Sequence, residues 1–97
     1  MFRHVVVLRW VAGVTPEQRA ALESRLAALP GRIPEIRSYK FGNDALMNEG
    51  NFDLAIVADF DNVNDYLVYR DHPDHVAVIT ECIRPILAER AAVQHEI

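Results

Sequence analysis

From Phe2 to Trp10 the chain reads Phe-Arg-His-Val-Val-Val-Leu-Arg-Trp, a run of β-branched and aromatic residues without a breaker, which predicts a strand. Alternation along a strand sends Phe2, His4, Val6, Leu8 and Trp10 to one side and Val5 and Val7 to the other. Both sides are apolar. An antiparallel sheet with one wet face carries polar residues on that face, so this strand has to be covered twice. The chain's own helices supply one cover. The other calls for a second sheet, most simply from an identical subunit.

The rest of the chain supplies the partners of that strand. Thr15-Pro16-Glu17-Gln18 places a capping hydroxyl, a proline at the first helical position and a glutamine three residues after the cap, so a helix starts there. Leu22, Leu26 and Leu29 form its apolar stripe, and Pro30-Gly31 is expected to stop it. Ile33-Pro34-Glu35 then leads as extended chain into a second strand over Ile36 to Gly42. Residues 43–51, rich in Asn and Gly, read as a loop. A third strand is expected from Phe52 to Phe60, with Phe52, Leu54, Ile56 and Phe60 on one face and Ala55 and Val57 on the other. Asp61-Asn62 can cap the next helix, which Pro73 breaks after Asp71. A further helix is expected from Pro73 to Leu87, with Ile79, Cys82, Ile83 and Ile86 inward, and a short strand from Ala91 to Ile97 closes the chain.

Strand, helix, strand, strand, helix, strand is the split βαβ order, so the fold class is α+β, ferredoxin-like (βαββαβ), an antiparallel sheet with helices on one face. Ninety-seven residues, half of them hydrophobic, fit a single domain spanning residues 1–97. A chain this short gains stability from pairing, which raises the expectation of a homodimer. Ten bases against fourteen acids, with the arginines dispersed, argue against nucleic acid as a partner, because a phosphate backbone demands a concentrated basic face. No apolar stretch reaches membrane-spanning length, and the Val5–Leu8 run is too short for a secretory signal. The lone Cys82 among apolar neighbours suits a reducing compartment, so the expected location is the cytoplasm.

Three segments, Phe2 to Trp10, Ile33-Pro34-Glu35-Ile36 and Tyr69-Arg70-Asp71-His72-Pro73-Asp74-His75, together resemble the pattern of the Dabb family, the stress-responsive α/β barrel domain. The order and spacing of the three segments match as well. The resemblance implies a dimeric α/β barrel in which two ferredoxin-like sheets pack face to face. It also implies two kinds of activity, since many members are stress-responsive proteins while a plant member, olivetolic acid cyclase, closes a linear polyketide by intramolecular aldol condensation. By that resemblance His4, Tyr69 and His75 match the cyclase's working residues, and His72 matches the first histidine of its His-Pro-x-His run. Leu54 stands where the cyclase has a pocket histidine.

An aldol closure needs a base to take a proton beside a carbonyl and a donor to steady the oxygen that gains charge. Neutral imidazole suits the first task near pH 7 and a phenol hydroxyl the second. His75 and Tyr69 are of those types, and His4 shares a strand face with Val6 and Leu8. The candidate catalytic set is therefore His75, Tyr69 and His4, around a pocket to which Phe2, Val6, Leu8, Leu54, His72 and Ile79 contribute. Each has a structural reading beside it. His4 can be a core histidine bonded to backbone, His72 can fix the junction before Pro73, and Tyr69 can be a packing aromatic. His72 and His75 with Asp71 and Asp74 look superficially like metal ligands, but capping and the helix dipole explain that pattern and no third ligand is marked. Neither a glycine-rich phosphate loop nor a dinucleotide fingerprint occurs, so no cofactor is expected. The leading expectation is a homodimer holding a small hydrophobic molecule. A cofactor-independent polyketide cyclase or related lyase is the alternative, and a structural assembly protein the third.

Overall fold

Strand β1 covers Phe2–Trp10, as the composition of that segment requires. The computed structural model describes residues 1–97. After β1 come α1 (Pro16–Arg32), β2 (Ser38–Asn43), β3 (Leu54–Phe60), α2 (Val63–Asp71), α3 (Pro73–Val78) and β4 (Leu87–Glu96). The strands form one antiparallel sheet in the order β2-β3-β1-β4, which is the ferredoxin-like arrangement expected from the order of elements.

Local chemistry sets most of the boundaries. Thr15 accepts from the Gln18 N–H at 3.1 Å and Gln18 accepts from the Thr15 N–H at 3.0 Å, completing the capping box. Asn62 caps α2 by accepting from the Asp65 N–H at 2.9 Å. The expected stop at Pro30-Gly31 does not occur, because α1 runs through Pro30 to Arg32. A proline in a last turn removes a single backbone bond, and the helix ends instead where Pro34 holds Ile33 extended. Pro34 and Glu35 make a turn rather than an extended lead, closed by the Ile36 N–H on the Ile33 carbonyl at 3.1 Å, so β2 starts at Ser38.

Strand β3 also starts later than expected. Asp53 stands outside it as a clasp on the end of β1, its N–H on the Leu8 carbonyl and its carboxylate on the Trp10 N–H, both at 2.8 Å. Phe52 consequently departs from the alternation and lies on the face opposite Leu54, its ring 4.3 Å from the Arg9 guanidinium. The long helix expected from Pro73 to Leu87 is corrected as well. α3 gives way to a wide π turn at Ile79–Ile83 and a short 3-10 turn at Arg84–Ile86, since Pro85 has no N–H with which to continue an α ladder. β4 then begins at Leu87, four residues before the expected Ala91.

Register fixes which residues share a face. His4 lies between Ala58 and Gln94, Val6 between Ile56 and Ala92, and Leu8 between Leu54 and Arg90. This face meets the helices, where Leu22, Leu26 and Leu29 of α1 join Leu8, Leu54, Ile56 and Phe60 in one buried cluster. Each such side chain contributes about 1.5–3 kcal/mol on burial. The opposite face carries Val5, Val7, Ala55, Val57, Ala91 and Val93, bordered by Arg3 and Asp59, which bond at 2.7 and 2.9 Å. No helix covers it, and Val93 is 57% exposed.

Candidate functional site

Between the helix-side face of the sheet and the α2–α3 segment lies a cavity of about 330 Å³. Strand alternation brings His4, Val6 and Leu8 to its floor, and Tyr39 arrives beside them because β2 pairs Tyr39 with Ala58, the neighbour of His4. Tyr69, in the last turn of α2, and His75, in the first turn of α3, form one wall. Ile79, at the start of the π turn, Val78 and Ile83 add apolar wall.

The His72-Pro73 junction positions the two polar wall groups. Proline at 73 keeps His72 extended (φ −63°, ψ 133°), and the His72 Nδ1 accepts from the Asp74 N–H at 3.1 Å. The chain thereby turns sharply enough for His75 to stack on Tyr69, with ring centroids 4.0 Å apart. His75 Nδ1 lies 3.0 Å from the Arg70 carbonyl. A carbonyl can only accept, so Nδ1 carries the proton and Nε2 keeps its lone pair. Tyr69 is 2% exposed, and its hydroxyl shares a hydrogen bond with the Tyr39 hydroxyl at 3.0 Å. One donor between two phenols leaves the second O–H available to another acceptor.

His4 is paired differently. The Gln94 amide nitrogen donates to its Nδ1 at 2.9 Å, which puts the proton of the neutral ring on Nε2. Burial, followed by the charge of Arg90 and the neighbouring His75, lowers the His4 pKa to about 4. Burial also lowers that of His75, and the charges of His72 and Arg90 add to the effect, while the Arg70 carbonyl and Asp71 oppose it. Tyr39 is pushed up to about 12 by burial, and Tyr69 is raised further by burial and by Tyr39. At neutral pH the cavity therefore presents the neutral imidazoles of His4 and His75 and the protonated phenols of Tyr39 and Tyr69. One imidazole offers a lone pair and the other an N–H, a set able to accept a proton and to donate hydrogen bonds to an oxygen.

His4, Tyr69, His75, Val6, Leu8 and Ile79 thus come together around one space, and three other expected residues do not line it. Phe2 stacks beside it on Tyr66 at 5.5 Å, Leu54 is buried in the core beyond the cavity, and His72 caps α3. Sequence reasoning missed Tyr39, Tyr66, Gln94 and Arg90. Tyr39 could have been found from alternation in β2 alone, whereas Gln94 and Arg90 depend on the register of β4. A wider depression of about 490 Å³ lies on the open face near Val7, Gly42 and Asn51, and its lining contains no histidine, tyrosine or base.

A four-stranded antiparallel sheet with helices on one face and a histidine- and tyrosine-lined cavity beneath them defines a protein of the ferredoxin-like class. The chain matches the family described as Stress responsive A/B Barrel Domain, Dabb, over residues 2–97, and it belongs to that family. Among solved structures, a dimeric ferredoxin-like protein of unknown function from Thermobifida fusca YX is 43% identical with a TM-score of 0.91, the match covering 99% of this chain and 90% of that one. A dimeric protein of ferredoxin-like fold from Bacteroides fragilis NCTC 9343 is 29% identical with a TM-score of 0.83, covering 99% and 95%. The hydroxynitrile lyase of Passiflora edulis, at 21% identity, a TM-score of 0.87 and coverage of 99% and 92%, shares the fold. No curated protein matches the chain. No helix is long and apolar enough to cross a membrane.

Proposed function

We propose that two copies of the chain pack sheet to sheet and that each holds a small, mostly apolar molecule bearing a polar oxygen in the cavity between its sheet and helices. The observation that carries the reading is the cavity itself, in which apolar wall surrounds the His4, Tyr39, Tyr69 and His75 cluster. At about 330 Å³ it falls at the small end of the roughly 300–1,000 Å³ typical of ligand sites. The dimer is supported by the uncovered Val5, Val7, Val57 and Val93 face and by the dimeric description of the two bacterial relatives. Native mass spectrometry of freshly purified protein tests both halves at once. The expected spectrum is a dimer carrying a retained small molecule, and a bare monomer at micromolar concentration overturns the proposal.

A second reading, cofactor-independent proton transfer next to a carbonyl, is favoured by one detail. The tautomer of His75 is fixed by the Arg70 carbonyl, which leaves Nε2 as a base beside phenol and imidazole donors. Intramolecular aldol closure of a polyketide is the reaction of this type that the resemblance of His4, Tyr69 and His75 suggests. The fold hosts a lyase in Passiflora edulis, a likeness of fold alone.

A further inference from the structure

The protein carries a formal charge of −4, yet the charged side chains lining the cavity are Arg70, Arg84 and Arg90, with no Asp or Glu. Outside the cavity five arginines are matched by acid, and a sixth, Arg19, donates to the Asn43 side-chain oxygen at 3.0 Å. Arg3 pairs with Asp59, Arg9 with Glu89, Arg25 with Glu81, Arg32 with Asp74 and Arg37 with Asp61. Of the cavity arginines, Arg70 is matched too, by Asp71 at 2.9 Å. The guanidinium groups of Arg84 and Arg90 make neither an ion pair nor a hydrogen bond within the chain. Both line the cavity, Arg84 from the 3-10 turn before β4 and Arg90 from the helix-side face of β4 opposite Leu8.

Resting on the reading of this cavity as a ligand site, we infer that its ligand is a small organic carboxylate whose charged end meets Arg90 and Arg84. The apolar body lies along Leu26, Val78 and Ile79, and the His4 and His75 imidazoles face its polar oxygens. Two guanidinium forks without acidic partners suit a planar carboxylate, which can accept two parallel N–H bonds. The charge of Arg90 already reaches inward, since it contributes to the shifts of His4, Tyr69 and His75. Guanidinium forks also accept a phosphate, so inorganic phosphate is the competitor that separates the two anions.

Calorimetric titration of the purified protein with phenylacetate and with its neutral counterpart phenylacetamide tests the inference. Phenylacetate should bind about tenfold or more tightly than the amide, the scale of one hydrogen bond to a charged group. Arg90→Gln should remove that preference by weakening phenylacetate binding about tenfold more than amide binding, and Arg84→Gln should reduce it. Both arginines are exposed, and either variant alone suffices if the other fails to fold. Equal binding of the two probes, or an equal loss of both in Arg90→Gln, overturns the assignment of charge while the cavity remains a ligand site. Inorganic phosphate displacing phenylacetate at equal concentration also overturns it, because the site would then read any anion. Binding of neither probe, together with no retained molecule in the native spectrum, removes the cavity reading and this inference with it.

Discussion

The imidazole of His75 lies against the ring of Tyr69 with centroids 4.0 Å apart and planes inclined by 32°, a stacked pair rather than a hydrogen-bonded one. The two side chains therefore line the cavity side by side. Tyr69 shares one hydrogen bond with the Tyr39 hydroxyl, and His75 is held by the Arg70 carbonyl.

His75→Ala separates chemistry from architecture. The Arg70 carbonyl left behind sits at an exposed residue where water can replace the lost donor, so the melting temperature should fall by only a few degrees. Any aldol cyclisation should fall by about 10²–10⁴, the usual loss on removing a general base. Melting curves and conversion of a linear tetraketide thioester to an aromatic acid read the two effects. A large drop in melting temperature with activity intact would make His75 a core residue.

Tyr39→Phe and Tyr69→Phe each delete one hydroxyl from a shared, partly buried bond. Each should cost about 1–3 kcal/mol by orphaning its partner, whereas the double variant should cost less than the sum. Denaturant titration of the three variants gives the coupling directly, and strict additivity would mean that the bond contributes nothing to the fold.

His4 should make stability fall in acid. Its pKa is about 4 in the folded protein against 6.5 for the free side chain, so the unfolded chain binds the proton first. The stability is complete above about pH 6.5, declines as pH falls toward 4 and is then flat, a loss of about 3 kcal/mol. His75, shifted in the same direction, adds to it. His4→Gln should flatten the dependence of unfolding free energy on pH across that window, and an unchanged profile would show that the titration lies elsewhere.

Ile79 and Leu54 should respond differently to substitution. Ile79→Trp pushes an indole into the cavity and should abolish binding of an apolar fluorescent probe with a modest change in stability. Leu54→Ala, at a residue 2% exposed, should cost about 2–5 kcal/mol while the surviving folded protein still binds the probe. The opposite pattern would place the probe site nearer β3.

Val7→Asp puts a carboxylate in the middle of the uncovered sheet face, between Ala55 and Ala91. In a monomer that position is wet and the charge is tolerated. Against a partner sheet it costs several kcal/mol. Sedimentation should show a dimer for the unaltered protein and a monomer or unfolded chain for the variant, and a folded variant dimer would place the contact on another face.

What could be read in advance was local. The capping box at Thr15–Gln18, the Asn62 cap, the break before Pro73 and the alternation of β1 each involve residues a few positions apart, and each is present. What was missed depends on distant pairing. Arg90 and Gln94 acquire meaning only when β4 is laid beside β1, and the expected helix to Leu87 hid the first residues of that strand. Phe52 left its expected face because Asp53 is recruited to clasp the end of β1, an interaction across forty-three positions. Tyr69 and His75 are marked in the sequence by the family resemblance and by residue type, but their stacking follows from the backbone angle at His72.

The π turn at Ile79–Ile83 bears on how this protein can change over generations. An α-helix advances each residue by about 100°, and a π turn accommodates one residue more than that ladder allows. Deleting one residue there would restore the ladder while Arg84 and Ile86, beyond the turn, kept their present side. Related lineages can thus gain or lose a single codon at the wall of the chamber without turning the residues that follow or touching the sheet that supports it.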